Sequence, residues 1–163
     1  MRKMLVVYHT LTGGSLQMAQ AAMRGATAGD SVNALLVKAV DAEPEHLMDA
    51  DGYLFVCPEN LAGMAGLMKD FFDRCYYPVF DRLHGRAYAT LICAGSDGSN
   101  AARQIERIAT GWRLKAIAAP LIICTHSQTP NTILAPKQLK TSDLARCEEV
   151  GATLASGLAL GIY

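Results

Sequence analysis

The chain has 163 residues, enough for a substantial core, and 51% of them are apolar against 18% charged, which favours a folded domain over a disordered coil. Its 15 basic and 15 acidic residues leave no net charge, so nucleic acid is not expected as a partner. No apolar run approaches the roughly 20 residues of a membrane span, and the run at 5–8 is shorter than the roughly 7–15 residues of a signal-peptide core. A cytoplasmic protein without a membrane partner is therefore expected.

Apolar runs alternate with segments of helical periodicity along the chain. In chain order they predict a strand over 3–8, a helix over 15–28, a strand over 31–40, a short helix over 44–50, a strand over 53–57, a helix over 65–76, a strand over 88–94, a helix over 99–112 and a strand over 116–124. Pro120 is expected to bend or interrupt the last of these strands. A polar connection over 125–140 leads to a closing helix over 142–161, whose predicted buried face carries Leu144, Cys147, Leu154 and Leu158.

Strict alternation of strands and helices predicts a parallel sheet, because parallel neighbours need crossover connections, and these are right-handed. No repeat or linker interrupts the pattern, so residues 1–163 are expected to form a single domain. Five strands and five helices favour an α/β fold, a three-layer α/β/α sandwich around a five-stranded parallel sheet of order 2-1-3-4-5. Ligands of such sheets bind beyond the carboxyl ends of the strands, which predicts a site in the loops after the first, third and fourth strands.

The loop after the first strand combines hydroxyl side chains and glycines directly before a predicted helix. The free N–H groups of a helix N-terminus and the positive end of its dipole can hold a phosphate group without a basic side chain. The glycines allow the backbone to curl round an anion, and the hydroxyls can donate hydrogen bonds. An N-capped turn is the alternative, for which Thr12 or Ser15 alone would suffice. The candidate phosphate-binding residues are Thr10, Leu11, Thr12, Gly13, Gly14 and Ser15.

The pattern Thr-x-Thr-Gly-x-Ser, from Thr10 to Ser15, resembles the phosphate-loop signature of flavodoxins. The resemblance implies a flavodoxin-like fold with the phosphate of FMN bound at this loop. Other nucleotide loops are excluded, because the loop has neither the lysine of a P-loop nor the pattern G-x-G-x-x-G. Tyr8 and His9 stand where a phospho-acceptor receiver domain needs acidic residues, which excludes that class as well.

The segment after the third strand carries a more specific resemblance. Residues 64–73 are similar to the corresponding segment of NAD(P)H:quinone oxidoreductases of the tryptophan-repressor-binding-protein type. The pattern of NADPH-dependent FMN reductases is matched without gaps by Pro58, Glu59, Gly66, Lys69 and Asp73. The last two, at i and i+4, also suit an ordinary surface ion pair on a helix. In these families the loop borders the isoalloxazine ring, so the resemblance implies FMN contacts from Pro58, Glu59, Asn60, Leu61 and Gly63.

One position departs from the families, which usually carry an aromatic residue near 60 or 61, where this chain has Asn60 and Leu61. Stacking on the flavin is then expected from Leu61, from Met64 or from a second subunit. Phe71 and Phe72 of the following helix are expected in the core.

The loop after the fourth strand consists of small and polar residues over 94–100. Such residues suit a backbone that passes beside a ring system, and the candidate cofactor contacts here are Ala94, Gly95 and Gly98. The alternative is an ordinary turn in which Ser99 is the N-cap of the next helix. The resemblance to FMN reductases extends to the closing helix, over 143–151.

Taken together, the resemblance implies an FMN-binding oxidoreductase with NAD(P)H as transient co-substrate and a small-molecule electron acceptor such as a quinone, a flavin or an azo compound. The flavin would supply the chemistry, so no catalytic side chain is expected, and the chain has no G-x-S-x-G elbow. A flavodoxin-type one-electron carrier is a first alternative, which the zero net charge disfavours. A non-enzymatic flavodoxin-like scaffold is a second. Reductases of this kind are commonly dimers or tetramers, so a homo-oligomer is expected.

The five cysteines form no C-x-x-C pair, which indicates small buried hydrophobes in a reducing compartment. Cys57 directly precedes the second loop, and a redox role for it stays open. The four histidines are scattered, so no dedicated metal site is expected.

Overall fold

The computed structural model describes all 163 residues. The strands are β1 (Arg2–Tyr8), β2 (Val32–Lys38), β3 (Gly52–Asn60), β4 (Gly63–Met64), β5 (Ala87–Ala94), β6 (Lys115–Ala116) and β7 (Leu121–Cys124). The helices are α1 (Gly14–Thr27), α2 (Pro44–Asp49), α3 (Gly66–Cys75), α4 (Ser99–Gly111), α5 (Pro130–Leu134) and α6 (Thr141–Ala159). None of these helices combines the length and the apolar character that crossing a membrane requires.

The sheet is parallel except for one short hairpin. β1 pairs with β2 and β3, β3 pairs with β5, and β5 pairs with both β6 and β7. β4 alone runs antiparallel to its neighbour, β3. The predicted order 2-1-3-4-5 is confirmed, with the fifth position shared by β6 and β7.

The last strand position is interrupted, as Pro120 predicts. β6 lies beside the start of β5, with Ala116 opposite Tyr88, and β7 lies beside its end, with Leu121 opposite Leu91. Between these two pairs the edge segment has four residues, 117–120, whereas β5 has only two, 89 and 90. The edge segment therefore bulges out of the ladder at this point. Proline has no N–H to donate to a ladder, which is why the pairing resumes only after it.

Helices cover both faces of the sheet. In β1, Leu5 and Val7 belong to the core cluster beneath α2, α3 and α4, while Met4 and Val6 belong to the cluster beneath α1 and α6. Side chains alternate between the two faces of a strand, so an unbroken apolar strand is satisfied only when both faces are covered. This arrangement confirms the predicted three-layer sandwich.

α1 and α6 pack with their backbones almost in contact. A Cβ placed on Gly25 would overlap the carbonyl group of Glu148, and one on Gly151 would overlap the carbonyl group of Ala22. Only glycine fits at these two positions, so the pair of helices is set close together above the sheet. The predicted buried face of α6 is confirmed, with Leu144 partly exposed and the others buried, namely Cys147, Leu154 and Leu158.

Two short elements were not predicted. β3 continues for three residues past Cys57 and forms a hairpin with β4, which has only two residues and no periodicity to detect. α5 lies within the segment predicted as a polar connection. Its start does carry a sequence signal, because Thr129 is an N-cap and Pro130 is the first helical residue.

Candidate functional site

The three loops predicted to bind a cofactor leave the sheet at one edge. They follow β1, β3 and β5, which are direct neighbours in the sheet and run parallel. The carboxyl ends of adjacent parallel strands meet at the same edge, so the loops border a common surface. Below, the loop over 9–13 is called the first loop, residues 58–64 the hairpin, and residues 95–98 the third loop.

The first loop is curled tightly ahead of α1. Gly13 has φ +92° and is the N-cap of the helix, and its N–H donates to Thr10 Oγ1 at 3.0 Å. The left-handed conformation favours glycine at this position. No side chain caps the helix, so the alternative of a turn capped by Thr12 or Ser15 is wrong. The N–H groups of the first turn are left for another partner.

Ser15 lies in the first turn of α1 with only 1% of its surface exposed. Its Oγ has no hydrogen-bond partner in the protein, although it is completely shielded from solvent. An unsatisfied buried hydroxyl costs about 1–3 kcal/mol. A phosphate oxygen at the helix N-terminus would accept this hydrogen bond and those of the free N–H groups beside it.

A distant segment, over 137–139, supports the first loop from behind. The N–H of Lys137 donates to the carbonyl of Thr12 at 2.8 Å, and Gln17 in α1 bonds both the carbonyl of Lys137 and the N–H of Leu139. A Cβ on Gly14 would lie 2.5 Å from Cys93 Sγ, so the start of α1 is also packed against β5. The segment lies more than a hundred residues from the loop, and no sequence signal pointed to the contact.

The first loop is close to uncharged. His9 is half-buried, and burial lowers its pKa below the usual value, which favours the neutral ring. The ammonium group of Lys137 donates to the carbonyls of Thr132, Ile133 and Ala135 and thereby caps the end of α5. The attraction for an anion at this loop therefore comes chiefly from backbone N–H groups and the dipole of α1.

The hairpin turns at Leu61 and Ala62, both in the left-handed region with φ +50° and +63°. Such tight turns usually carry asparagine or glycine, so these residues hold a conformation that must be supported by other contacts. The support comes from α4, where Asn100 Nδ2 donates to the carbonyl of Ala62 at 2.5 Å and Gln104 Oε1 accepts from the N–H of Met64 at 2.8 Å.

The hairpin tip presents one apolar side chain. Leu61 is fully exposed, whereas Met64 is 8% exposed and belongs to the core. Of the two stacking candidates in this segment, Leu61 alone has its side chain available at the surface. The prediction for the following helix is confirmed, since Phe71 and Phe72 are buried.

Glu59 joins the hairpin to the third loop. Its Oε1 accepts from the N–H of Gly98 at 3.0 Å, and its Oε2 is shielded from solvent and has no partner. Gly98 has φ +84°, and a Cβ there would lie 2.6 Å from Ile122 Cγ2. Gly98, and not Ser99, is the N-cap of α4, so the alternative with Ser99 as the cap is wrong. Ser99 is the first helical residue and its hydroxyl donates to Asp97 Oδ2 at 2.8 Å.

The segment after β7 backs the rest of the third loop. The N–H of Thr125 donates to the carbonyl of Ala94, and that of His126 to the carbonyl of Gly95, both at 2.8 Å. A Cβ on Gly95 would lie 3.0 Å from the carbonyl oxygen of Ser127. The backbone of the loop is therefore held close to this segment and has little room for side chains.

Four of the five cysteine thiols are buried, which disfavours their thiolate form. Cys57 is buried, and burial raises its pKa to about 12. The same cause raises the pKa of Cys93 to about 11 and that of Cys147 to about 12. All five cysteines are free thiols, and Cys124 alone is not fully buried.

Comparison with known families decides the classification. The NADPH-dependent FMN reductase family matches residues 27–128, well over half of the chain. The chain belongs to this family. The match includes the hairpin, α3 and the third loop but begins after the first loop, whose resemblance to flavodoxins is independent of it.

A curated relative and several solved structures are also similar to this chain. The flavodoxin of Aquifex aeolicus (strain VF5) is 29% identical over 98 residues, which are 60% of this chain and only about half, 53%, of that protein. A flavodoxin from the domain Archaea superposes with a TM-score of 0.80 at 19% identity, covering 96% of this chain and 98% of that one.

Two further solved structures have the same architecture. A WrbA-like flavodoxin from Agrobacterium tumefaciens gives a TM-score of 0.75 at 19% identity, with 99% of both chains covered. The flavodiiron protein of Giardia intestinalis gives 0.80 at 14% identity, covering 99% of this chain and 37% of that one. At these identities the likeness concerns the fold, which is flavodoxin-like.

Proposed function

We propose that the protein is an FMN-dependent oxidoreductase that takes hydride from NAD(P)H and passes electrons to a small acceptor such as a quinone or a flavin. The phosphate of FMN would lie at the N-terminus of α1, within reach of the hydroxyls of Thr10, Thr12 and Ser15. The isoalloxazine ring would lie between the hairpin and the third loop. Backbone groups of Pro58, Asn60, Gly63, Ala94 and Gly95 would border it, with Leu61 against one face.

One observation carries the assignment of the cofactor. Only two shielded side-chain polar atoms in the chain lack a partner, Ser15 Oγ and Glu59 Oε2. They belong to two of the three loops predicted to bind FMN. Ser15 Oγ is a donor that suits a phosphate oxygen, and Glu59 Oε2 is an acceptor that suits a ring N–H group. Buried polar groups are nearly always satisfied in native proteins, so both atoms indicate a ligand with matching groups.

The chain itself would bind and orient the reactants. FMN, when bound, supplies the capacity to accept a hydride and return electrons singly or in pairs. The first loop holds the phosphate, Glu59 fixes the spacing of the hairpin and the third loop through Gly98, and α4 holds the hairpin tip. No nucleophile or general acid is required of the protein.

A one-electron carrier is the second candidate, and the similarity to the Aquifex flavodoxin favours it. The family match and the zero net charge favour the reductase, because carriers commonly use a strong charge to steer towards their partners. The hairpin tip also lacks an aromatic ring, which leaves space for a nicotinamide beside the flavin.

Two measurements test the proposal. Purified protein is titrated with FMN while the melting temperature is followed, and a rise is expected because FMN binds the native state. NADPH and NADH oxidation is then measured with a quinone as acceptor. Turnover of hydride supports the reductase, whereas bound FMN that exchanges single electrons without NAD(P)H oxidation identifies a carrier. Absence of any FMN binding identifies a scaffold.

We further propose that the enzyme is a single-domain cytoplasmic protein that forms dimers or tetramers. The turn after α3 supports an oligomer, because Tyr77 is 81% and Phe80 45% exposed there. Exposed aromatic side chains of this size are enriched at subunit contacts. Light scattering of the FMN-loaded protein measures the assembly, and a monomer would contradict it.

A further inference from the structure

A groove of about 480 Å³ lies beside the hairpin, between it and the facing sides of α3 and α4. This volume is within the range of about 300–1,000 Å³ that small-molecule sites occupy. The groove contains no residue of the first or third loop, although it shares residues with the hairpin. Its lining includes Asn60, Leu61 and Gly63 of the hairpin, Lys69 of α3, and Gln104 and Arg107 of α4.

The charge of the groove is positive. Two of its lining side chains are cations, Lys69 and Arg107, and none is acidic. Lys69 Nζ is paired with Asp73 Oδ1 at 2.5 Å, which compensates its charge. Arg107 takes part in none of the ion pairs of the chain. An arginine without a partner at the wall of a groove is available to an anionic ligand.

The position of Arg107 follows from the way α4 holds the hairpin. Asn100, Gln104 and Arg107 are spaced i, i+4 and i+7 and so lie on one face of the helix. The first two are used by the hairpin, through the carbonyl of Ala62 and the N–H of Met64. Arg107 lies one turn further along, beyond the end of the hairpin, where the protein offers it no acceptor.

Gly63 packs closely against Gln104 at the wall of the groove. A Cβ at this position would lie 3.2 Å from Gln104 Oε1 and 3.5 Å from Nε2, tighter than most packed contacts. Ile108 supplies an apolar wall on the same side. The groove thus combines an apolar surface, a primary amide and a free guanidinium, which together suit a nucleotide with a phosphate group.

We propose that this groove binds a phosphate group of the nucleotide hydride donor, with Arg107 as the principal contact and Lys69 as the second. The inference rests on the proposed function, since the donor must reach from the flavin beside the hairpin into the groove. A guanidinium presents a rigid fork of N–H donors that matches phosphate oxygens in pairs. An uncharged quinone acceptor would gain nothing from this contact, whereas every nicotinamide nucleotide donor carries phosphate groups that would.

Direct binding tests the groove without turnover. Protein in excess FMN is titrated with adenosine 2′,5′-bisphosphate and, separately, with adenosine 5′-diphosphate, in an isothermal calorimeter. Arg107→Gln is expected to weaken binding about tenfold, as for the loss of a charge-assisted hydrogen bond. Arg24→Gln is the control, because Arg24 is also an exposed helical arginine but lies on α1, on the other face of the sheet from the groove, where it pairs with Glu148 of α6. It is expected to bind as the wild type does.

The two probes separate the two possible sources of the phosphate. A loss confined to the bisphosphate assigns the groove to the 2′-phosphate of NADPH, and a loss with both assigns it to the diphosphate bridge. The inference is overturned if wild-type protein binds neither probe, or if Arg107→Gln binds both as tightly as the wild type.

Kinetics then distinguish failure of this inference from failure of the proposed function. Arg107→Gln is expected to raise the KM of the donor about tenfold with kcat and FMN affinity within twofold of wild type. Equal KM values for the variant and the wild type contradict the groove assignment alone. A wild-type protein that binds FMN but oxidises neither NADPH nor NADH contradicts the proposed function, while the calorimetric result still decides whether the groove holds a phosphate.

Discussion

Glu59 and Gly98 are joined by a 3.0 Å hydrogen bond from the backbone N–H of Gly98 to Glu59 Oε1. The two residues are 39 positions apart in the chain and lie in two neighbouring loops of the candidate site. The other carboxylate oxygen of Glu59 is shielded and has no partner. One side chain therefore ties the two loops together and keeps a second acceptor without a partner in the protein.

Substitution of Glu59 separates these two roles. Glu59→Gln keeps an oxygen for the N–H of Gly98 but places an NH₂ group where the free acceptor was. Its unfolding free energy is expected within about 0.5 kcal/mol of wild type, with FMN binding about tenfold weaker. Glu59→Ala loses both roles and is expected to cost about 1–2 kcal/mol in stability as well. Urea denaturation without FMN and fluorescence titration with FMN measure the two effects. Wild-type FMN affinity in Glu59→Gln would show that the free oxygen faces no part of the cofactor.

The first loop is tested by removing hydroxyls without changing shape. Thr12→Val together with Ser15→Ala is expected to weaken FMN binding at least tenfold, because two donors to the phosphate are lost. Riboflavin, which lacks the phosphate, is the control and is expected to bind with unchanged affinity. An equal loss for both ligands would contradict the placement of the phosphate at this loop.

The single substitution Ser15→Ala is expected to stabilise the protein even though it weakens FMN binding. The Ser15 hydroxyl is buried and unsatisfied without a ligand, so Ser15→Ala is expected to stabilise the FMN-free protein by about 1 kcal/mol. The melting temperature of the FMN-free variant measures the gain. A destabilised variant would show that the hydroxyl has a partner within the protein.

The pH dependence of stability should report the burial of His9. Its pKa is lowered in the folded state, so the unfolded chain binds the proton more readily. Stability from this residue is complete above the unfolded value of about 6.5 and is lost as pH falls through the lower folded value. The difference in unfolding free energy between wild type and His9→Asn, measured by urea denaturation, is therefore expected to fall as the pH drops below about 6.5. His126→Asn, at an exposed position, is the control and should leave the slope unchanged.

The reactivity of the thiols should follow burial. Cys124 is the one cysteine that is not fully buried, and the pKa of Cys57 is raised to about 12. Native protein is expected to react with a thiol-specific chromogenic disulfide at one site, and unfolded protein at five. Cys124→Ser should abolish the native reaction. Rapid labelling of Cys57 in that variant would reopen a redox role for it.

The architecture could be predicted because it depends on local patterns. The unbroken apolar run of β1 indicated a strand covered on both faces. Its successive residues Leu5 and Val6 do lie in different core clusters. Alternation with helices then determined a parallel sheet and its order, and Pro120 marked the break in the last strand. The hairpin was not predicted, because its tip carries Leu61 and Ala62, and neither residue type is typical of a tight turn.

By itself the sequence determined the fold and the edge of the sheet at which a ligand is expected, since periodicity and strand connectivity depend on neighbouring residues. The tertiary structure decided which polar atoms at that edge are left without a partner. Gln17 meets Lys137 across 120 positions, and Gln104 meets Met64 across 40. These contacts, the unpartnered atoms of Ser15 and Glu59 and the free guanidinium of Arg107 depend on which groups remain unsatisfied after the whole chain has packed. No local pattern encodes that outcome, because each hydrogen bond is settled by partners distant in the chain.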